Sequence, residues 1–94
     1  MTREEALDRA QTRVWVYMVA GDIDYYFNEY NLKVLGKNGR PKKSPNRTEK
    51  EDALIEYYTD KWTTVSTEEV DKTQQAYEQR FKHTIAAITG QEVQ

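Results

Sequence analysis

Residues 14–30, VWVYMVAGDIDYYFNEY, hold the densest apolar and aromatic material in the chain, and any fold has to bury part of them. From Val14 to Ala20 seven consecutive residues are apolar or aromatic. A membrane span needs about 20, so this run belongs to a core. Val14, Trp15, Val16, Tyr17 and Val19 also suit a buried strand, and the length of the surrounding pattern has to arbitrate. Upstream, Leu7, Ala10, Val14, Tyr17 and Met18 recur at steps of three and four; Val16, Val19, Ile23, Tyr26 and Tyr30 do so downstream. Both runs are helical. The second stripe is rotated from the first, so the middle of the helix is apolar nearly all round and needs partners on two sides, either a wrapping fold or a subunit seam.

Working outward, Thr2 and Glu5 stand at the capping-box spacing, with Glu4 and Glu5 near the positive end of the helix dipole, and predict a helix from about residue 3. Gly21 and Asp22 interrupt the pattern, and glycine costs roughly 1 kcal/mol against alanine within a helix. Either the helix runs on to about Tyr30, the expectation adopted, or it breaks and Asp22 caps a second segment. Residues 31–47, NLKVLGKNGRPKKSPNR, change character completely. Asn38-Gly39 suits a tight turn, so Leu32 to Gly36 and Arg40 to Lys43 either form a short edge hairpin or lie as a plain loop.

Beyond Pro45 the helical period returns. Thr48 and Glu51 repeat the capping-box spacing, and Leu54, Tyr58, Trp62 and Val65 line one face of an amphipathic helix over about 48–64. Hydroxyl and β-branched residues from Thr63 to Thr67 weaken it, and Ser66 with Glu69 starts another helix. Val70, Thr73, Tyr77, Phe81, Ile85 and Ile88 carry that stripe, over about 67–89, to Gly90, ahead of a tail at 91–94 that frays. The fold class is therefore all-α or mainly α: one domain, a bundle of three to four helices with a basic loop or hairpin at 32–44.

Ninety-four residues give a single small core, of modest stability unless the chain forms a homo-oligomer. Cysteine is absent, which excludes disulfides, thiolate catalysis and Cys-ligated metal. The charged opening MTREEALDRA carries no apolar targeting region, so a cytoplasmic, membrane-free setting is expected, the host cytoplasm for a phage-encoded chain. Fourteen bases against sixteen acids do not describe a general polyanion binder. Their distribution says more: Lys33, Lys37, Arg40, Lys42, Lys43 and Arg47 fall in one acid-free window, leaving eight bases to sixteen acids elsewhere. Such a window either docks on a polyanion or is a solvated loop.

No catalytic signature appears. Asp22 and Asp24 diverge by about 200 degrees on a helix and cannot share a metal there, so Asp22 reads as a cap. His83 stands five residues after Glu78, off the Glu-x-x-His spacing of helical metal sites, and reads as a surface residue. Phosphate loops, nucleophile elbows and zinc-ligand sets are missing. The expectation is a non-enzyme without cofactor or metal, although a nucleotide held between subunits would leave no mark in such a sequence.

Seven residues are tyrosine, four of them at 17, 25, 26 and 30. Tyrosine offers large area at low entropic cost and is enriched at interfaces. Asp22, Asp24, Tyr25, Tyr26, Glu29 and Tyr30 form an acidic aromatic face with no base between Arg13 and Lys33. Tyr26 and Tyr30 also fit a core with hydroxyls at its rim, but Tyr25 and Tyr26 point about 100 degrees apart, which puts one of them at an interface. The first functional expectation is an inhibitor or adaptor of the phage or mobile-element kind. It would use this face against a basic protein partner or another copy of itself.

The second expectation is an oligomeric DNA-binding accessory using Lys37, Arg40, Lys42, Lys43 and Arg47. Gly39-Arg40-Pro41-Lys42-Lys43 resembles the core of an AT-hook, which lays an arginine in a narrow minor groove, although Asn38 stands where that motif has a second arginine. From Tyr30 to Glu69, YNLKVL, the GKNG turn, the KKSP segment and a helix containing Ala53-Leu54 together resemble the C-terminal half of a family of phage terminase small subunits. Thr64-Val65 replaces the Gly-Leu of that pattern, and its following arginine is absent. The resemblance implies a DNA-recognising oligomer that assists a packaging motor.

Overall fold

The computed structural model describes residues 1–36, 38–40, 45–83 and 86. Four helices, and no strands among the described residues, make a small all-α bundle: α1 (Arg3–Ala20), α2 (Ile23–Glu29), α3 (Arg47–Trp62) and α4 (Thr67–Arg80). Among the described residues no helix is long and apolar enough to cross a membrane.

Helix α1 starts where its cap dictates. The Thr2 hydroxyl accepts from the Glu5 amide at 3.1 Å and the Glu5 carboxylate accepts from the Thr2 amide at 3.3 Å, so the box is reciprocal. The Thr2 hydroxyl also donates to the Glu5 carboxylate at 2.9 Å, and that bond, with the one from the Thr2 amide, holds the Glu5 carboxyl below its ordinary pKa.

The single helix expected over 3–30 is instead two helices. Gly21 takes φ of 78°, its amide donates to the Met18 carbonyl at 3.1 Å, and the Asp22 amide donates to the Tyr17 carbonyl at 2.8 Å. That pair of bonds is a Schellman motif, in which the left-handed residue is usually glycine. Asp22 follows it without a side-chain capping bond to α2, correcting its expected role. α2 stops the same way: Asn31 has φ of 53°, its amide reaches Asn28 at 3.0 Å, and the Leu32 amide reaches Phe27 at 3.3 Å. The break lets Ile23 and Phe27 fold back into the core that α1 lines.

α1 and α3 are antiparallel. The amino terminus donates to the Val65 carbonyl at 2.9 Å, Arg3 pairs with Asp60 at 2.7 Å, and at the far end Arg47 donates to the Met18 carbonyl at 2.8 Å. α4 runs in the α1 direction, since Arg9 pairs with Asp71 at 2.8 Å and Asp22 accepts from the Tyr77 hydroxyl at 3.3 Å. The α1 core stripe is Ala6, Ala10, Val14 and Tyr17, while Leu7, expected in it, faces outward with Trp15. Leu54, Tyr58 and Trp62 complete the core from α3, and Val70 from α4.

Two boundaries shift. The α3 cap is Asn46 with Glu49, whose amide donates to Asn46 Oδ1 at 2.8 Å, and Thr48 with Glu51 is not a cap. α4 begins as expected with Ser66 accepting from Glu69 at 3.3 Å, but it ends at Arg80, and Phe81 leaves helical geometry at φ −116°. On its stripe Gln74 is buried and Thr73 is exposed; Ile85 and Ile88 lie outside the described residues. In the basic segment Gly39 has φ of 72° and the Gly36 amide donates to the Arg40 carbonyl at 2.8 Å. The turn is thus closed at Gly36 and Arg40, wider than a two-residue Asn38-Gly39 hairpin, and the return segment 41–44 lies outside the described residues.

Candidate functional site

The tyrosines of the bundle converge. Tyr17, buried on α1, has the Tyr26 ring of α2 stacked on it at 4.0 Å and 3°. The Tyr77 ring of α4 meets its edge at 4.9 Å. Its hydroxyl lies 2.8 Å from that of Tyr58 on α3. Burial pushes the Tyr17, Tyr26, Tyr58 and Tyr77 hydroxyls above the ordinary tyrosine pKa. Tyr30 stands at the edge of this cluster, half-buried, 4.6 Å from Tyr57 and edge-on to Tyr58 at 5.7 Å.

Five of the six acidic-aromatic residues come together on the outer side of this cluster. Asp22, Tyr25, Tyr26, Glu29 and Tyr30 line one open cavity of about 410 Å³, which Arg80 completes. Tyr25 is 62% exposed and stands edge-on to Tyr26 at 5.2 Å, while Tyr26 has its other contacts in the core. The divergence of two adjacent helical residues is thus resolved with one inside and one out. Asp22 is held in place by Tyr77, and two carboxylates against one guanidinium leave the cavity acidic.

Asp24 does not join them. It accepts from Lys50 Nζ across the α2–α3 face, and that bond lowers its carboxyl pKa. Arg80 was not foreseen in the sequence. It lies some fifty positions away, and its only local mark is a base in the last turn of a helix, which the dipole alone accounts for.

Of the basic candidates, Lys37, Lys42 and Lys43 lie outside the described residues. Arg40 is exposed beside the turn, whereas Arg47 is the first residue of α3 and donates to the end of α1. His83 is exposed, and among the described residues no group of three or more His, Asp or Glu is placed to hold a metal ion.

One feature the pattern did not reveal is a buried cation. Arg13, on α1, is 8% exposed and donates to the side chains of Gln74, Tyr17 (3.4 Å) and Thr73 (3.2 Å). Its guanidinium lies 5.2 Å from the Trp62 ring and 5.4 Å from that of Tyr77. No family model, curated protein or solved structure matches the chain.

Proposed function

We propose that the chain is a non-catalytic binding protein, an inhibitor or adaptor, whose acidic tyrosine cavity receives a basic side chain from a protein partner or a second copy. The observation that carries this reading is the convergence of Asp22, Tyr25, Tyr26, Glu29 and Tyr30 on one open cavity. Aromatic faces attract a lysine or arginine head by their quadrupole, and the two carboxylates add charge complementarity. Tyr26 is pre-positioned by its stack on Tyr17, so little order has to be created on binding. Tyr25, exposed and edge-on to Tyr26, adds a second aromatic face for the guest.

The test is fluorescence anisotropy of a labelled lysine- and arginine-rich peptide against the protein, with an acidic peptide as control and particle mass recorded alongside. Saturable binding of the basic peptide that is lost in Tyr25→Ala and in Glu29→Lys supports the reading. Binding that both variants leave intact defeats it. The alternative, an oligomeric DNA-associated packaging accessory, is favoured by the exposure of Arg40 next to a formed turn. It predicts binding of A/T-rich duplex with a log–log salt slope of about 0.9 per neutralised phosphate, abolished by Arg40→Gln with Lys42→Gln and Lys43→Gln.

A further inference from the structure

A second cavity, of about 230 Å³, opens between α1, α3 and the start of α4, with Arg13, Tyr58, Lys61, Trp62 and Glu69 in its lining and Tyr30 shared with the acidic cavity. One of its lining residues, Arg13, carries the buried guanidinium. A guanidinium carries five N–H donors, and three of those on Arg13 are taken by Gln74, Tyr17 and Thr73. All three acceptors are neutral. Among the described residues Arg13 forms no ion pair, and the nearest acid along its hydrogen bonds is Glu78, one step removed through the Gln74 amide at 3.2 Å. A charge removed from water without a counter-ion is costly, and two N–H donors remain for an incoming acceptor.

The surroundings narrow what that acceptor is. Lys61 reaches over the rim with Nζ 5.8 Å from the Tyr30 ring, and Glu69 is the one acid in the lining, so the wall carries a net single positive charge. That balance suits a monoanion; a dianionic phosphate would meet Glu69. The planar fork of arginine matches the two oxygens of a carboxylate. Trp62, Tyr58 and Tyr30 supply flat apolar walls, and the volume lies below the range of about 300–1,000 Å³ used by drug-sized ligands, leaving room for one ring. We propose that this cavity binds a small single-ring aromatic carboxylate, its carboxylate on Arg13 and Lys61 and its ring against Trp62 and Tyr58.

The probe is benzoate, titrated against the full chain carrying Trp15→Phe, which leaves Trp62 in the cavity wall as the only indole. The expected result is a saturable change in Trp62 fluorescence at millimolar benzoate, absent with the neutral isostere benzamide. Lys61→Gln, at the exposed rim, should raise Kd by about tenfold. Arg13→Gln should abolish binding, with helicity checked by circular dichroism; if that variant fails to fold, Lys61→Gln and the benzamide comparison decide the matter alone. No saturable response, an equal response to benzamide, or equal affinity in Lys61→Gln would each overturn the assignment. Tyr25→Ala should leave benzoate affinity unchanged, because Tyr25 lines the acidic cavity and not this one, so this proposal and the peptide-binding one fail separately.

Discussion

The Tyr26 ring lies parallel to that of Tyr17 at 4.0 Å, and through this stack the short second helix is fixed to the first. Tyr17 also touches Tyr58 and Tyr77, so one side chain joins all four helices. Its ring and its hydroxyl contribute separately. Tyr17→Phe keeps the stack but removes the 2.8 Å contact with the Tyr58 hydroxyl, and should cost about 1 kcal/mol. Tyr17→Ala should cost about 3–5 kcal/mol, a large share of the total stability of a domain this size. Urea unfolding of both variants checks the ratio; equal losses would show that the hydroxyl network, and not ring packing, holds the bundle.

The same burial sets an alkaline limit. Tyr17, Tyr26, Tyr58 and Tyr77 have pKa values above the ordinary 10.0 in the folded chain, so above that pH the folded state retains protons that the unfolded chain releases. Stability from these groups is fully present below pH 10.0 and falls as pH rises beyond it. Tyrosinate absorbance followed through an alkaline titration reads these four groups directly. The buried tyrosines should ionise only in a cooperative step that coincides with loss of helical circular dichroism. Gradual ionisation of Tyr17, Tyr26, Tyr58 and Tyr77 with helicity intact would contradict the buried cluster.

Two left-handed residues, Gly21 and Asn31, carry the path between α1 and the basic segment. A side chain at Gly21 would meet no atom within 4 Å, so the cost of Gly21→Ala is the backbone alone, about 1 kcal/mol at φ of 78°. Asn31 does the same work at φ of 53°. Asn31→Gly should be close to neutral, whereas Asn31→Ala should lose a similar amount to Gly21→Ala by thermal melting. If Gly21→Ala were stabilising, α1 would have to continue through the break.

Much of this architecture was legible because it rests on short-range signals. Thr2 with Glu5 and Ser66 before Glu69 mark helix starts within one turn, and Leu54, Tyr58 and Trp62 repeat at a period that only a buried helical face explains. The break at Gly21 was visible as a signal but not as an outcome, because apolar residues continue on both sides and the deciding bonds are backbone bonds that any sequence can make. The exchange of Leu7 for Ala6 in the core has a packing cause: a small residue lets α1 approach its neighbours closely, and periodicity does not distinguish adjacent apolar positions. Five residues of the acidic face were legible because they share one short helix and its ends. Asp24, Arg80 and Arg13 were not, since each is placed by a partner on a different helix: Lys50, the α2 cavity and Gln74.

The start of α3 offers the sharpest separation between a pattern and the bond that realises it. Two overlapping candidates, Asn46 with Glu49 and Thr48 with Glu51, have the right spacing, and only the first is closed: Glu49 donates to Asn46 at 2.8 Å and its carboxylate accepts from the Asn46 amide at 3.2 Å. Starting the helix at Arg47 also brings that guanidinium to the Met18 carbonyl, so the cap fixes how α3 docks on the end of α1. Asn46→Ala should then lose about 1 kcal/mol, while Thr48→Ala, an exposed change inside the first turn, should be neutral or slightly stabilising. Urea unfolding resolves the two, and an Arg47→Gln background should add its own loss to that of Asn46→Ala by less than the sum, because both act on one junction. Equal effects of Asn46→Ala and Thr48→Ala would place the helix start two residues later and detach Arg47 from α1.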